Sequence, residues 1–160
     1  MQDIRLGDGI IIHKVDRVLA FNPPVTLYAA RSGYSAFQGA VDSVGLSNAL
    51  DIALPDLTIF IPINDAFNAI GSVVAGADAE TLTSVLQYHV IPDTIAYSQS
   101  LSNITVPTLS GDDLTISVTL DGDIFVNQAR VIFPNILIDN GVAHVIDRYI
   151  RLLQISDIPD

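Results

Sequence analysis

Thr58-Ile59-Phe60-Ile61-Pro62-Ile63-Asn64-Asp65-Ala66-Phe67 is the stretch that decides how this chain folds. It opens with an apolar run rich in β-branched residues, which suits a buried strand. Pro62 has no N–H to give a sheet ladder, so the strand is cut there. Asn64 or Asp65 can then cap a helix, because a side-chain oxygen satisfies an orphan amide of the first turn. Ala66, Phe67 and Ile70 begin that helix and Gly71 stops it.

Upstream, Leu27, Ala30, Tyr34, Phe37, Val41 and Val44 recur at spacings of three and four. That predicts two short helices, broken at Gly33. Leu46 to Leu54 reads as a third, ended by Pro55. Downstream, Asp78 is placed to cap a helix from Ala79 to Tyr88, with Gly76 before it and Leu82, Val85 and Leu86 on one face. After Pro92 the texture changes to short β-branched pieces. Ile104 to Val106, Leu114 to Leu120 and Ile124 to Val126 read as strands, with an Asp121-Gly122 hairpin turn between the last two. Arg130 to Phe133, Ile136 to Ile138 and Val142 to Ile146 complete the set, with Asn140-Gly141 as the final turn. Helices come early and strands late, which argues for an α+β fold.

The two ends of the chain echo each other. Gly9 to Leu19 contains His13-Lys14-Val15-Asp16-Arg17-Val18-Leu19, and Gly141 to Ile150 contains His144-Val145-Ile146-Asp147-Arg148-Tyr149-Ile150. The shared pattern reads as the footprint of a tandem repeat whose first copy is truncated. Asn22-Pro23-Pro24 then reads as a linker or a stiff turn.

Composition excludes several classes of function. The 160 residues suit one domain and contain no cysteine, so thiol catalysis, Cys-based zinc sites and disulfide scaffolds fall away. The net charge is −11 and Lys14 is the one lysine. Nucleic acid and anionic membrane surfaces need clustered cations and are poor partners for such a chain. The longest uncharged run, 94–111, is too polar for a membrane span. Met1 is followed at once by Gln2, Asp3 and Arg5, which is no signal peptide and suggests a piece of a longer chain.

The opening stretch resembles the first signature motif of the fasciclin (FAS1) domain, threonine-apolar-phenylalanine-apolar-proline-x-asparagine-acidic-alanine-phenylalanine. Leu86-Gln87-Tyr88-His89-Val90-Ile91-Pro92 is similar to that family's tyrosine-histidine motif. Thr108-Leu109-Ser110-Gly111 resembles its threonine-leucine-x-glycine segment, and 140–147 its second conserved block. The resemblance implies a compact wedge of β-strands packed with several short α-helices. It also implies that residues 1–22 are the tail of a preceding fasciclin domain with its linker, 23–153 one complete domain, and 154–160 a C-terminal tail. Family members are mostly secreted or cell-surface adhesion modules. The implied role is therefore an extracellular, non-catalytic one, with a cell-surface or matrix protein, a glycan or a neighbouring fasciclin domain as partner.

Individual side chains sharpen these expectations. His89 beside an acidic residue could be a general base. The preferred reading is structural: His89 bonds Asn64 or Asp65 and locks helix to strand, with Tyr88 in the same network. His13, His89 and His144 follow no zinc spacing. Asp112-Asp113 and Asp121-Gly122-Asp123 supply too few ligands for calcium and suit turns. No metal or cofactor is expected. No Gly-x-Ser-x-Gly or phosphate-cradling loop occurs. Asn103-Ile104-Thr105 is an N-glycosylation sequon. Some animal fasciclin domains carry an aspartate-bearing integrin segment before the last block. The matching place holds Pro134, Asn135, Ile136 and Leu137, with Asn135 where the aspartate would be. Hydrophobic residues make up 49% of the chain and mean hydropathy is +0.45. That excess admits a second role, as carrier of a lipid or pigment. Residues 10–19 are apolar enough to need cover, from this domain or from a second copy in a homodimer.

Overall fold

The computed structural model of the chain describes residues 2–6, 10–14, 22–69 and 78–150. Strands β1 (Gln2–Leu6) and β2 (Ile10–Lys14) pair antiparallel, with Leu6 opposite Ile10, as a two-stranded sheet of their own. Helices α1 (Val25–Arg31) and α2 (Ser35–Ser43) are separated at Gly33, whose φ of +84° is a conformation that glycine adopts without strain. A π-helical turn, Ala49–Ala53, closes with Leu54 N–H donating to the Ala49 carbonyl. Strand β3 (Leu57–Pro62) and helix α3 (Asn64–Ala69) follow. Helix α4 (Ala79–Tyr88) is capped by Asp78 Oδ1, which accepts from Thr81 N–H at 2.7 Å. The remaining strands are β4 (Val90–Ile91), β5 (Ile104–Pro107), β6 (Asp113–Val118), β7 (Ile124–Val126), β8 (Ala129–Ile138) and β9 (Gly141–Ile146).

These last seven strands form one sheet in the order β4-β3-β9-β8-β7-β6-β5. Strands β3 and β9, second and third from the β4 edge, run parallel; the other pairs are antiparallel. All six residues of β3 are buried, which explains the unbroken apolar run, since a strand covered on both faces has no reason to alternate. Leu57, Ile59 and Ile61 face a core shared with Val25, Phe37, Val41, Leu50 and Leu86 from the helical half. Phe60 faces a second core with Tyr88, Leu114, Ile116, Val126 and Ile146. The architecture is an α+β wedge in which one strand divides two cores.

Gly141 is set by a close approach and not by turn geometry. It stands opposite Leu57, and a Cβ there would fall inside the Leu57 carbonyl group. Only a glycine lets β9 lie against β3 at that point.

Strand β3 ends at Pro62, as its missing N–H predicts. Two expectations need correction. Neither Asn64 nor Asp65 caps α3. The Ile63 carbonyl accepts from Ala66 and Phe67, which puts Asn64 inside the first turn with its side chain turned outward to another loop. The pieces at 130–133 and 136–138 are one strand with a bulge between Phe133 and Ile136. Ile70, Gly71, Gly76, residues 15–19 and the 154–160 tail lie outside the described residues.

Candidate functional site: a loop strapped beside an apolar cleft

The connection from β4 to β5, residues 92–103, is held at its first half by three side chains from three separate stretches. Thr58, fully buried on β3, donates its hydroxyl to the Thr94 carbonyl at 2.7 Å and accepts from Ala96 N–H at 2.9 Å. His144 on β9 reaches the Ala96 carbonyl through Nε2 at 2.9 Å. Asn135, at the β8 bulge with φ +62°, accepts from Ser98 N–H at 2.8 Å and donates Nδ2 to Ser98 Oγ at 2.7 Å. Asn tolerates this left-handed backbone better than most residues.

The hydrogen bonds also set the His144 tautomer. Nε2 faces a carbonyl and must carry the proton, which leaves Nδ1 to accept from Asn135 N–H at 3.4 Å. The ring stacks on Phe60, its register partner, with centroids 5.7 Å apart. Burial lowers the His144 pKa from its usual value.

His89 plays the same part elsewhere in the fold, in the opposite tautomer. Its Nδ1 donates to the Val85 carbonyl at 2.9 Å and its Nε2 accepts from Ile150 N–H at 3.2 Å. Its ring lies 5.0 Å from Tyr149, and burial pushes its pKa down to about 4. The expected bond from His89 to Asn64 or Asp65 is absent, because His89 points back along its own helix and forward to the chain after β9. Asn64 instead holds the α1–α2 loop, accepting from Ala36 N–H at 3.0 Å and donating to the Gly33 carbonyl at 2.8 Å. Asp65 is exposed in the first turn of α3. Tyr88 donates to the Asp113 carbonyl at 2.8 Å and accepts from Asn127 Nδ2 at 2.9 Å, so it fixes β6 and the β7–β8 turn. Asn64, Tyr88 and His89 therefore serve three separate junctions, and Asp65 stands exposed beside them.

With both ring nitrogens engaged in backbone contacts, neither buried histidine offers a base to solvent. No group of three metal-ligating side chains occurs among the described residues. Asp123 is paired with Arg130 at 2.7 Å, and Asp112 accepts from Ser110 within its turn. In the candidate adhesion segment, Pro134 is exposed, Leu137 is 49% exposed and Ile136 packs on the first core. Asn103 is exposed and accepts from Val118 N–H at 2.7 Å through Oδ1.

Beside the strapped loop lies a cleft of about 430 Å³. Ile91, Leu101, Ile104, Val106 and Ile116 supply most of its apolar wall, and Asp93 is the one charged residue on it. Sequence reasoning missed Thr58 and Asn135 as anchors of this loop. Thr58 reads as one more β-branched strand residue, and Asn135 as a lost carboxylate. A polar residue inside an apolar run was the available signal in each case.

Residues 32–152 match the family model described as "Fasciclin domain". The chain belongs to the fasciclin domain family. Fasciclin relatives include a fasciclin-like arabinogalactan protein of Arthroderma benhamiae, 39% identical over 85% of this chain and 32% of that protein. Protein sll1483 of Synechocystis is 37% identical over 79% of this chain and 71% of its own length. Among solved structures, the FAS1 domain pair of the insect cell adhesion molecule fasciclin I superposes with a TM-score of 0.54. It is 25% identical and covers 76% of this chain and 44% of that one. The chain spans about a third of the length of two fungal arabinogalactan relatives, 32% and 38%. In this fasciclin domain the first motif supplies Thr58 and the last block His144, so two of the three loop anchors lie in the stretches that carry the family resemblance. No helix among the described residues is long and apolar enough to cross a membrane.

Proposed function

We propose that the chain is an extracellular adhesion or matrix-interaction module, acting through protein or glycan contacts and without catalysis. The observation that carries this reading is the fasciclin domain itself, shared with a domain pair from a cell adhesion molecule. A tandem arrangement fits the same reading: residues 1–22 as the tail of a preceding fasciclin domain, 23–153 as this one and 154–160 as a tail. Its support is the antiparallel β1–β2 hairpin, which leads into the His13 to Leu19 pattern as β8–β9 leads into its echo. Contacts through Pro134 to Leu137, a glycan on Asn103 and a homodimer through residues 10–19 belong to this proposal. Asn103 anchors β6 with its oxygen, so the nitrogen that takes a glycan is not the atom holding the strand. The test is attachment of cells to surfaces coated with the chain or with two linked copies. Linked copies are expected to hold cells better than the same mass of single ones, since tethering raises effective concentration. Attachment no better than to an inert protein, in either format, refutes the reading.

The cleft favours a second reading, carriage of a small apolar molecule. A ligand retained at one per chain through purification, seen by native mass spectrometry, supports it.

A further inference from the structure

The seven-stranded sheet ends in β4 on one side and β5 on the other, and both ends line the same cleft. Ile91 comes from β4, Ile104, Val106 and Pro107 come from β5, and Ile116 is the register partner of Ile104. A backbone bond from Leu109 N–H to the Val90 carbonyl, 2.8 Å, ties the two ends together beyond β5. The cleft is therefore the seam of a sheet that has almost closed into a barrel. Concave apolar sites in the interiors and mouths of β-barrels are common places for small ligands.

The rest of the wall comes from the loop that Thr58, His144 and Asn135 hold in place. Such a wall is formed before a ligand arrives, so binding does not have to order it. With each water-sized volume near 30 Å³, a cleft of about 430 Å³ takes roughly 15 non-hydrogen atoms.

Charge decides the head group. Polar lining comes from Thr94, Ser100, Ser102 and Asp93, and none of it is basic. Of the described arginines near the β-half, Arg130 is paired with Asp123 and Arg148 with Asp147. A carboxylate-headed ligand would set a second negative charge beside Asp93 and meet no cation. A hydroxyl or ammonium head can donate to the Asp93 carboxylate.

We propose that the seam between β4 and β5 binds a small apolar molecule bearing a hydrogen-bond-donating head group and discriminates against the matching carboxylate. The proposal rests on the carrier reading above and gives that reading a site and a head-group rule. The experiment is titration of the ¹⁵N-labelled chain with octanol and with octanoate, near neutral pH and at matched ionic strength. Octanol is expected to move the amides of residues 91–106 and 116, and to bind at least about fivefold more tightly than octanoate. Asp93→Asn should reduce that preference, and Ser102→Trp at the exposed rim should weaken octanol while the rest of the spectrum stays in place. A preference below about fivefold, or one that survives Asp93→Asn, overturns the head-group rule and leaves the carrier reading standing. Shifts centred away from the seam, or octanol binding indifferent to Ser102→Trp, overturn the site. No shift with either probe overturns both the site and the carrier reading.

Discussion

Mild acid should destabilise this domain through His89. The ring bridges two backbone groups with opposite demands, donating from Nδ1 to Val85 and accepting at Nε2 from Ile150. Protonation turns the acceptor into a donor aimed at an N–H, in a place shut off from bulk solvent. The folded pKa is accordingly about 4, against 6.5 for the free side chain. Between those values the unfolded chain binds the extra proton and the folded chain does not. Stability is therefore full above pH 6.5 and is lost as the pH falls toward 4. A difference of about 2.5 pKa units corresponds to about 3 kcal/mol in the limit, of which about 2 kcal/mol is gone by pH 5. His144, also lowered by burial, adds in the same direction. Asp78 does not confuse the window, because its carboxyl is held below 3.8 and acts only in stronger acid. The assay is urea unfolding at steps from pH 7.5 to 4.5, with the His89 ring followed by NMR in the folded state. A folded-state midpoint near 6.5, or a stability that does not change between pH 7 and 5, refutes the reasoning.

Three substitutions test the junctions. Gly141→Ala puts a methyl into the Leu57 carbonyl and forces β9 off β3, so we expect a loss of at least about 3 kcal/mol or no folded protein, read by circular dichroism and thermal melting. Thr58→Val keeps the shape but strips the Thr94 carbonyl and Ala96 N–H of their partner, for about 2 kcal/mol, with faster amide exchange concentrated at 94–98. Tyr88→Phe leaves the Asp113 carbonyl and Asn127 Nδ2 without the hydroxyl and should cost about 1–2 kcal/mol in urea unfolding, with no change in the 94–98 amides.

Much of the fold could be read from the sequence because its local signals agree with one another. The Asp78 cap, the Gly33 break, the turn at Gly122 and the switch from helical to β texture after Pro92 each have a short-range physical cause. The fasciclin resemblance then joined stretches that no local rule connects. Side-chain partners were less accessible. Nothing in Asn64 and His89 says that each will turn to a different junction, since that depends on which strands lie side by side. The glycine at 141 looks like a turn residue, and its real constraint comes from Leu57, more than eighty positions away in the chain and opposite it in the parallel pair. The cleft was invisible for the same reason: its walls come from the two outermost strands, and only the curl of the sheet brings them together.

The two motifs that first marked the chain turn out to be adjacent strands. β3 and β9 lie parallel next to the β4 edge of the sheet, Thr58 beside Val142 and Phe60 beside His144. Their outward-alternating positions divide the work. Leu57, Ile59, Ile61, Ala143 and Val145 close the helical core, while Thr58 and His144 send polar atoms to one loop. A strand pair buried on both faces has no solvent to satisfy those polar atoms, so the loop must stay where it is for the pair to remain paired. The loop and the strand pair thus share their polar contacts, and a change that removes one of them frees residues 94–98 first. Surface function in this domain, whether contact with a partner or entry to the seam, is presented on a loop whose order is set from the centre of the fold.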